Sequence, residues 1–323
     1  MRAVVIEGAG GPEVLSVQDV ADPVPETGEV VIDVVAAGLN RADVQQRKGL
    51  YPPPPGASTI PGLEVSGRIS DANGSSFREG DAVVALLAGG GYAQKVAVPA
   101  GQVVPAPDGV ELVEAAGLPE TAATVWSNLV LQAGLSEGED VLIHGASGGI
   151  GVMAIQVSLA LGAVPHVTAG SGAKLDVARS LGVETLINYR EQDFVERLSQ
   201  ATGGRGADVI LDVVGAEYLA RNIEALAPGG RLVVIGLQGG ARAELDLSAL
   251  MGKRASVAGT TLRSRPVAEK TAIMAAVHGS VWPSVASGVV RPFVDRVFPL
   301  DEVAGAHTYF DAGEHTGKIL LEL

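Results

Sequence analysis

The chain has 323 residues, enough for about two domains at roughly 150 residues each, and 47% of them are hydrophobic. Thirty-seven acids against 23 bases leave a net charge of −14, which repels duplex nucleic acid and anionic membranes; Arg2, Arg41, Lys48 and Arg78 are scattered and form no basic patch. Cysteine is absent, so disulfides, thiol nucleophiles, iron–sulfur clusters and thiolate zinc sites are excluded together.

The start, Met1-Arg2-Ala3-Val4-Val5-Ile6, turns to Glu7-Gly8 too early for the apolar run of a secretory signal. The first hundred or so residues read as short strands and turns. Val30 to Val35 is a β-branched run after the turn signal Pro25-Glu26-Thr27-Gly28, and Gly80 to Ala85 repeats it. Between them, Tyr51-Pro52-Pro53-Pro54-Pro55-Gly56 is extended polyproline. After Gly89-Gly90-Gly91 a strand is expected over 92–96, and the passage from Pro105 to Gly109 ends the β-rich part. Beyond Pro119, apolar strands at 141–144, 164–169, 208–215 and 231–236 alternate with helical stretches such as 150–161, the pattern of a parallel sheet covered on both faces. From Arg265 a helix and short strands lead to Gly317–Leu323. The segment 141–174, charged only at its last residue, contains His144, a glycine cluster, Pro165 and His166 and so has no 20-residue apolar run. A soluble, cytoplasmic α/β protein with neither membrane nor nucleic-acid partners is expected.

The decisive segment is Val141-Leu142-Ile143-His144-Gly145-Ala146-Ser147-Gly148-Gly149-Ile150-Gly151, followed by a helix. Strand, glycine turn and helix in succession form a dinucleotide-binding unit, in which glycines admit the pyrophosphate to the helix N-terminus. NAD-preferring sites place an acid roughly 20 residues beyond the glycines to hold the ribose 2′-hydroxyl. Here no acid occurs between Asp140 and Asp176; the second strand runs instead into Ala169-Gly170-Ser171-Gly172-Ala173-Lys174. A neutral turn and an ammonium suit a 2′-phosphate, each charge-assisted contact contributing roughly 1.5–3 kcal/mol. NADPH is therefore the expected cofactor, the alternative for Lys174 being an ordinary exposed helix-start lysine.

These stretches, with Gly11-Pro12-Glu13-Val14-Leu15, Ala37-Gly38-Leu39-Asn40-Arg41-Ala42-Asp43, Gly62-Leu63-Glu64-Val65-Ser66-Gly67, Gly80-Asp81-Ala82-Val83, Ile187-Asn188-Tyr189-Arg190 and Leu262-Arg263-Ser264-Arg265, resemble the NADPH-dependent, zinc-free quinone oxidoreductases of the zeta-crystallin type. That group belongs to the medium-chain dehydrogenase/reductase superfamily, and the likeness runs over essentially the whole chain. It implies a Rossmann domain, residues 122–264, inserted into a barrel-like, GroES-like catalytic domain formed by 1–121 and 265–323, with the active cleft between them. Zinc-dependent relatives carry a cysteine where Leu39 stands and a histidine where Leu63 stands. The five histidines have no ligand-like spacing, so no metal is expected.

The resemblance also assigns roles. Lys174, Ser171 and Tyr189 would surround the 2′-phosphate, with Gly170 near the ribose. Ser147, Gly148 and Gly149 would take the pyrophosphate. Gly236, Leu237, Leu262 and Arg263 would line the nicotinamide half, approached by Thr124. Each has a plainer reading: Gly236 as a strand-end turn, Arg263 as a solvated loop charge, Tyr189 as core packing. Asn40 and Tyr51 are the polar residues expected to face the acceptor, Asn40 bonding a carbonyl and Tyr51 donating a proton or stacking on a flat ring. Their alternatives are a loop cap and a tyrosine that pins the proline turn. The expected activity is metal-free hydride transfer from NADPH to a quinone. The rivals are reduction of activated C=C bonds (enals, enones, enoyl thioesters) and a non-catalytic NADPH-binding role. The resemblance further implies a homodimer or homotetramer.

Overall fold

The computed structural model describes residues 1–323, which form two units, 1–123 with 262–323, and 124–261. The insertion is thus two residues shorter at its start and three at its end than expected, and Leu262 and Arg263 belong to the first unit.

In the first unit, β1 (Arg2–Ile6) pairs antiparallel with β2 (Leu15–Asp19). There follow β3 (Glu29–Leu39), α1 (Arg41–Arg47), β4 (Glu64–Asp71), β5 (Ala82–Leu86), β6 (Lys95–Pro99), β7 (Val103–Pro105) and the short helices α2 (Leu112–Ala115) and α3 (Pro119–Val125). The expected strand at 30–35 is therefore the centre of a longer one. The strand expected from Gly80 starts at Ala82, after Gly80 takes φ +89° in the preceding turn. Strand β6 begins at Lys95, later than the sequence suggested.

The second unit starts within α3, at Thr124, and passes into a π-helical turn, Trp126–Gln132. It continues through β8 (Asp140–His144), α4 (Gly149–Ala160), β9 (Val164–Ala169), α5 (Gly172–Ser180), β10 (Thr185–Asn188), α6 (Phe194–Ala201), β11 (Ala207–Asp212), α7 (Leu219–Ala225), β12 (Leu226–Val234), α8 (Leu247–Lys253) and β13 (Ser256–Gly259). All six strands are parallel, in the order β10-β9-β8-β11-β12-β13. Counted from β8, this is the doubly wound order 3-2-1-4-5-6, whose direction reverses beside β8 and so opens a crevice at the strands' carboxyl ends. Val141, Leu142, Ile143, Val209, Ile210 and Leu211 are completely buried, as a sheet covered on both faces requires. His144 is a core residue. It bonds Thr168 Oγ1 (2.9 Å) and Asn222 Oδ1 (2.8 Å) and meets Phe194 and Tyr218 edge-on.

The chain then returns to the first unit with α9 (Val267–Ser280), α10 (Trp282–Ala286), β14 (Val294–Pro299), α11 (Val303–Ala312) and β15 (Lys318–Glu322). The first unit's large sheet runs β14-β15-β3-β4-β5-β7, with β6 also on β3. β15 is antiparallel to β3 with Ile319 opposite Leu39, which brings Lys318 to the loop that opens α1. Val30, Ile32, Val65, Val83, Ala85, Val96 and Val98 pack into one core there. No helix is long and apolar enough to cross a membrane.

Candidate functional site

At the end of β8 the backbone turns through Gly145 (φ +82°) into α4, whose N-cap is Gly148. A Cβ on Gly151 would collide with the carbonyl of Gly145, so helix and turn approach as closely as a glycine contact allows. No side chain caps α4. Ser171, Asp193 and Asp246 cap α5, α6 and α8 through their own side chains, whereas α7, α9 and α11 share the uncapped start of α4. The first amides of α4 therefore remain as donors for an anion, in the field of the helix dipole. Ser147 is buried beside them, and Gly148 and Gly149 are half-buried.

The end of β9 gathers the residues expected at a 2′-phosphate. Tyr189 donates its N–H to Ala169 O (3.2 Å), which draws the ends of β9 and β10 together. A Cβ on Gly170 would lie 2.6 Å from the Tyr189 hydroxyl and 3.3 Å from Arg190 Nε, so Gly170 makes room for both. Ser171 accepts the Lys174 backbone N–H (3.4 Å), so its hydroxyl starts α5 with Lys174 in the first turn. Tyr189 is 43% exposed, which removes the core-packing reading. Arg190, absent from the expected set, is a second cation at this turn; its signal was its place in the Asn188-Tyr189-Arg190 run.

Gly236 stands in the loop that follows β12. A Cβ there would sit 2.7 Å from Val213 O, so the loops after β11 and β12 touch backbone to backbone. Asp212, fully buried, holds the first of these loops by accepting from Val214 N (2.7 Å) and Gly215 N (3.0 Å), and burial raises its pKa. Leu237 projects from the second loop, 59% exposed. The carbonyl of Thr124 accepts from Ser127 Oγ (3.2 Å) and Asn128 Nδ2 (2.7 Å) at the π-helical turn.

In the first unit, Asn40 is occupied in a way the sequence reading missed. Its Nδ2 donates to Glu64 Oε1 (2.9 Å) and Gly38 O (3.2 Å), while its Oδ1 accepts from Lys318 Nζ (2.7 Å). Both amide hydrogens are committed, so the expected hydrogen bond from Asn40 to an acceptor carbonyl has no donor left. Lys318 also pairs with Glu64 (2.6 Å) and donates to Leu39 O (3.0 Å), and Glu64 accepts the Glu120 N–H (2.9 Å). Glu64 and Lys318 are both buried, as are the hydrocarbon side chains of Leu39 and Leu63 beside them. One helical turn further, Asp43 accepts from Asn40 N (2.8 Å), Gly62 N (3.0 Å) and Tyr92 Oη (3.1 Å), and burial pushes its pKa up to about 6.

Tyr51 is half-buried on the loop that follows α1, and the hydrogen bonds it makes run through its backbone: N–H to Gln45 O, and its carbonyl from Arg263 Nη1. Burial raises the phenol's pKa, opposed by the Arg263 charge. Arg263 itself is 5% exposed, so it is neither a solvated loop charge nor part of the nucleotide unit; Leu262 beside it is buried as well.

The alcohol dehydrogenase GroES-like domain family matches residues 26–108, and the zinc-binding dehydrogenase family matches residues 149–277. Human quinone oxidoreductase is 32% identical over 328 residues, covering 100% of this chain and 98% of its own length. Among solved structures, Escherichia coli quinone oxidoreductase complexed with NADPH superposes with a TM-score of 0.89 at 30% identity, covering 100% of both chains. The CurK enoyl reductase superposes with a TM-score of 0.87 at 29% identity, covering 99% of this chain and 98% of the other.

Proposed function

The chain belongs to the quinone oxidoreductase family of the medium-chain dehydrogenase/reductases, and from that premise we propose that it reduces quinones with NADPH and without a metal. The observation that carries this reading lies within one parallel sheet. An uncapped helix N-terminus at the glycine turn is followed by a second strand that runs into Lys174 with no acid between Asp140 and Asp176, and Tyr189 and Arg190 stand at the end of the next strand.

Bound NADPH supplies a hydride; binding, orientation and exclusion of water fall to the protein. The first amides of α4, with Ser147, Gly148 and Gly149, take the pyrophosphate. Gly170, Ser171, Lys174, Tyr189 and Arg190 take the ribose and its 2′-phosphate. Thr124, Gly236 and Leu237 serve the nicotinamide half. Full reduction of a quinone needs a hydride and a proton. Solvent can supply that proton, so no protein acid is obligatory; Tyr51 is the side chain that donates it to, or stacks on, the acceptor. Metal independence is supported by hydrocarbon at Leu39 and Leu63, where zinc-dependent relatives carry ligands. Without a Lewis acid to acidify an alcohol, reduction of an electrophile is the favoured direction.

The likeness to an enoyl reductase supports a second reading, reduction of an activated C=C bond. NADPH consumption with an ortho-quinone and a conjugated enone, side by side, separates the two. Faster quinone turnover is expected, faster enone turnover reassigns the acceptor, and consumption with neither leaves a dinucleotide-binding protein.

The proposed assembly is a homodimer or homotetramer in the cytoplasm, where reduced dinucleotide is available. An open sheet edge at β13 supports it: Val257 is 36% exposed there, and Leu247 and Met251 are 61% and 75% exposed on the preceding helix. Light scattering should give at least twice the 32.8 kDa chain mass, and Val257→Asp should reduce it; a wild-type monomer contradicts the assembly.

A further inference from the structure

Arg263 is a buried cation whose hydrogen bonds go to neutral oxygens on three separate segments. Nε donates to Ala88 O (2.8 Å), Nη2 to Gln46 Oε1 (2.6 Å) and Nη1 to Tyr51 O (3.4 Å). Its guanidinium carbon lies 5.5 Å from the centre of the Tyr51 ring, within cation–π range. Gln46 carries the connection onward, donating from Nε2 to Thr59 O (2.8 Å). The proline-rich loop between α1 and β4 is thus strapped at Tyr51 and at Thr59 by one arginine–glutamine pair. A buried charge is unfavourable without compensation, and only a planar fork reaches three oxygens in different directions at once.

We propose that Arg263 is a positioning residue for Tyr51: by holding that residue's carbonyl and ring and bracing the loop through Gln46 and Ala88, it fixes the phenol presented to the acceptor. This rests on the reading of Tyr51 as the acceptor-facing group. It moves Arg263 from the dinucleotide, where the sequence put it, to the acceptor. Two charges act on the phenol. The Arg263 cation favours its ionised form and the Glu120 carboxylate disfavours it, so loss of Arg263 should make Tyr51 harder to ionise.

The test is a double-mutant cycle of Arg263→Gln and Tyr51→Phe, read as kcat/KM for the acceptor and, separately, as NADPH Kd by fluorescence of the bound dinucleotide. Each single change should lower kcat/KM about tenfold, the double should fall no further than the worse single, and Kd should stay within about twofold. A loss of about a hundredfold in the double, or an equal loss of NADPH affinity in Arg263→Gln, would overturn the proposal. Arg263→Lys keeps the charge and lacks the fork, which covers the case in which the glutamine variant does not fold. It should show the same loss of acceptor turnover, and wild-type turnover would count against the positioning role. Ultraviolet titration of the phenol, taken as the difference from Tyr51→Phe, needs no turnover. It should move upward in Arg263→Gln, and an unmoved titration breaks the pairing. Unchanged acceptor kinetics in Tyr51→Phe with a moved titration would instead sink the acceptor role of Tyr51 alone.

Discussion

At the end of β9 the chain presents Ala169-Gly170-Ser171 and then the first turn of α5 with Lys174, a stretch that carries one cation and no acid. Lys174→Ala should weaken NADPH about tenfold or more and leave NADH nearly unchanged, as expected for one charge-assisted contact to a 2′-phosphate. Equal weakening of both, measured by fluorescence titration, would remove the lysine from that role. Lys318 works differently, because it is 5% exposed and neutralises Glu64, which is fully buried. Lys318→Met leaves that carboxylate uncompensated and should destabilise the fold by about 3–5 kcal/mol, with part of the loss recovered when Glu64→Gln is added. Urea denaturation of the single and double variants measures this, and a neutral single variant would contradict the ion-pair account.

The strand–turn–helix element from β8 to α4 separates a packing glycine from a binding glycine. Gly151 has backbone where a side chain would go, so Gly151→Val should lower stability by about 1–3 kcal/mol through overpacking. At Gly148 the nearest atom to an added Cβ is 3.9 Å away and φ is −77°, so Gly148→Ala should keep the wild-type Tm while weakening NADPH. Thermal melting with dinucleotide titration distinguishes them, and a destabilised Gly148→Ala would contradict the assignment. The parallel strands were legible because they are continuous apolar runs, as at Val141–Ile143 and Val209–Leu211. Helix α1 was not, because its buried face is Asp43, Val44, Gln46 and Arg47. Their partners come from distant segments (Asp43 to Gly62 and Tyr92, Gln46 to Thr59 and Arg263, Arg47 to His307 and Asp311), and a hydrophobic period cannot register them. Strand β4 was hidden likewise, since it opens on the buried Glu64. The commitment of Asn40 depends on Lys318, 278 residues away, and was beyond any local reading.

Across the whole molecule, buried titratable groups set how stability responds to acid. Burial lowers the pKa of His144 to about 4 and that of His307 to about 3, so both are neutral in the fold. The unfolded chain, titrating near 6.5, takes up those two protons first, and the stability they confer is lost as pH falls from 6.5 toward 4. Asp43 opposes this. Its folded pKa of about 6 lies above the unfolded 3.8, so it gains stability over the same descent. Two protons against one leave a net fall of about 1.4 kcal/mol per pH unit at most, and the urea midpoint should drop between pH 6.5 and 4.5. A constant or rising midpoint would show that the histidines are not held neutral. The central claim, metal-free reduction of a quinone at the expense of NADPH, is tested most directly by following NADPH oxidation with an ortho-quinone after exhaustive chelation, with NADH in parallel. Turnover unchanged by chelation and markedly faster with NADPH than NADH is the predicted result. Turnover abolished by chelation, or equal with the two dinucleotides, would contradict it.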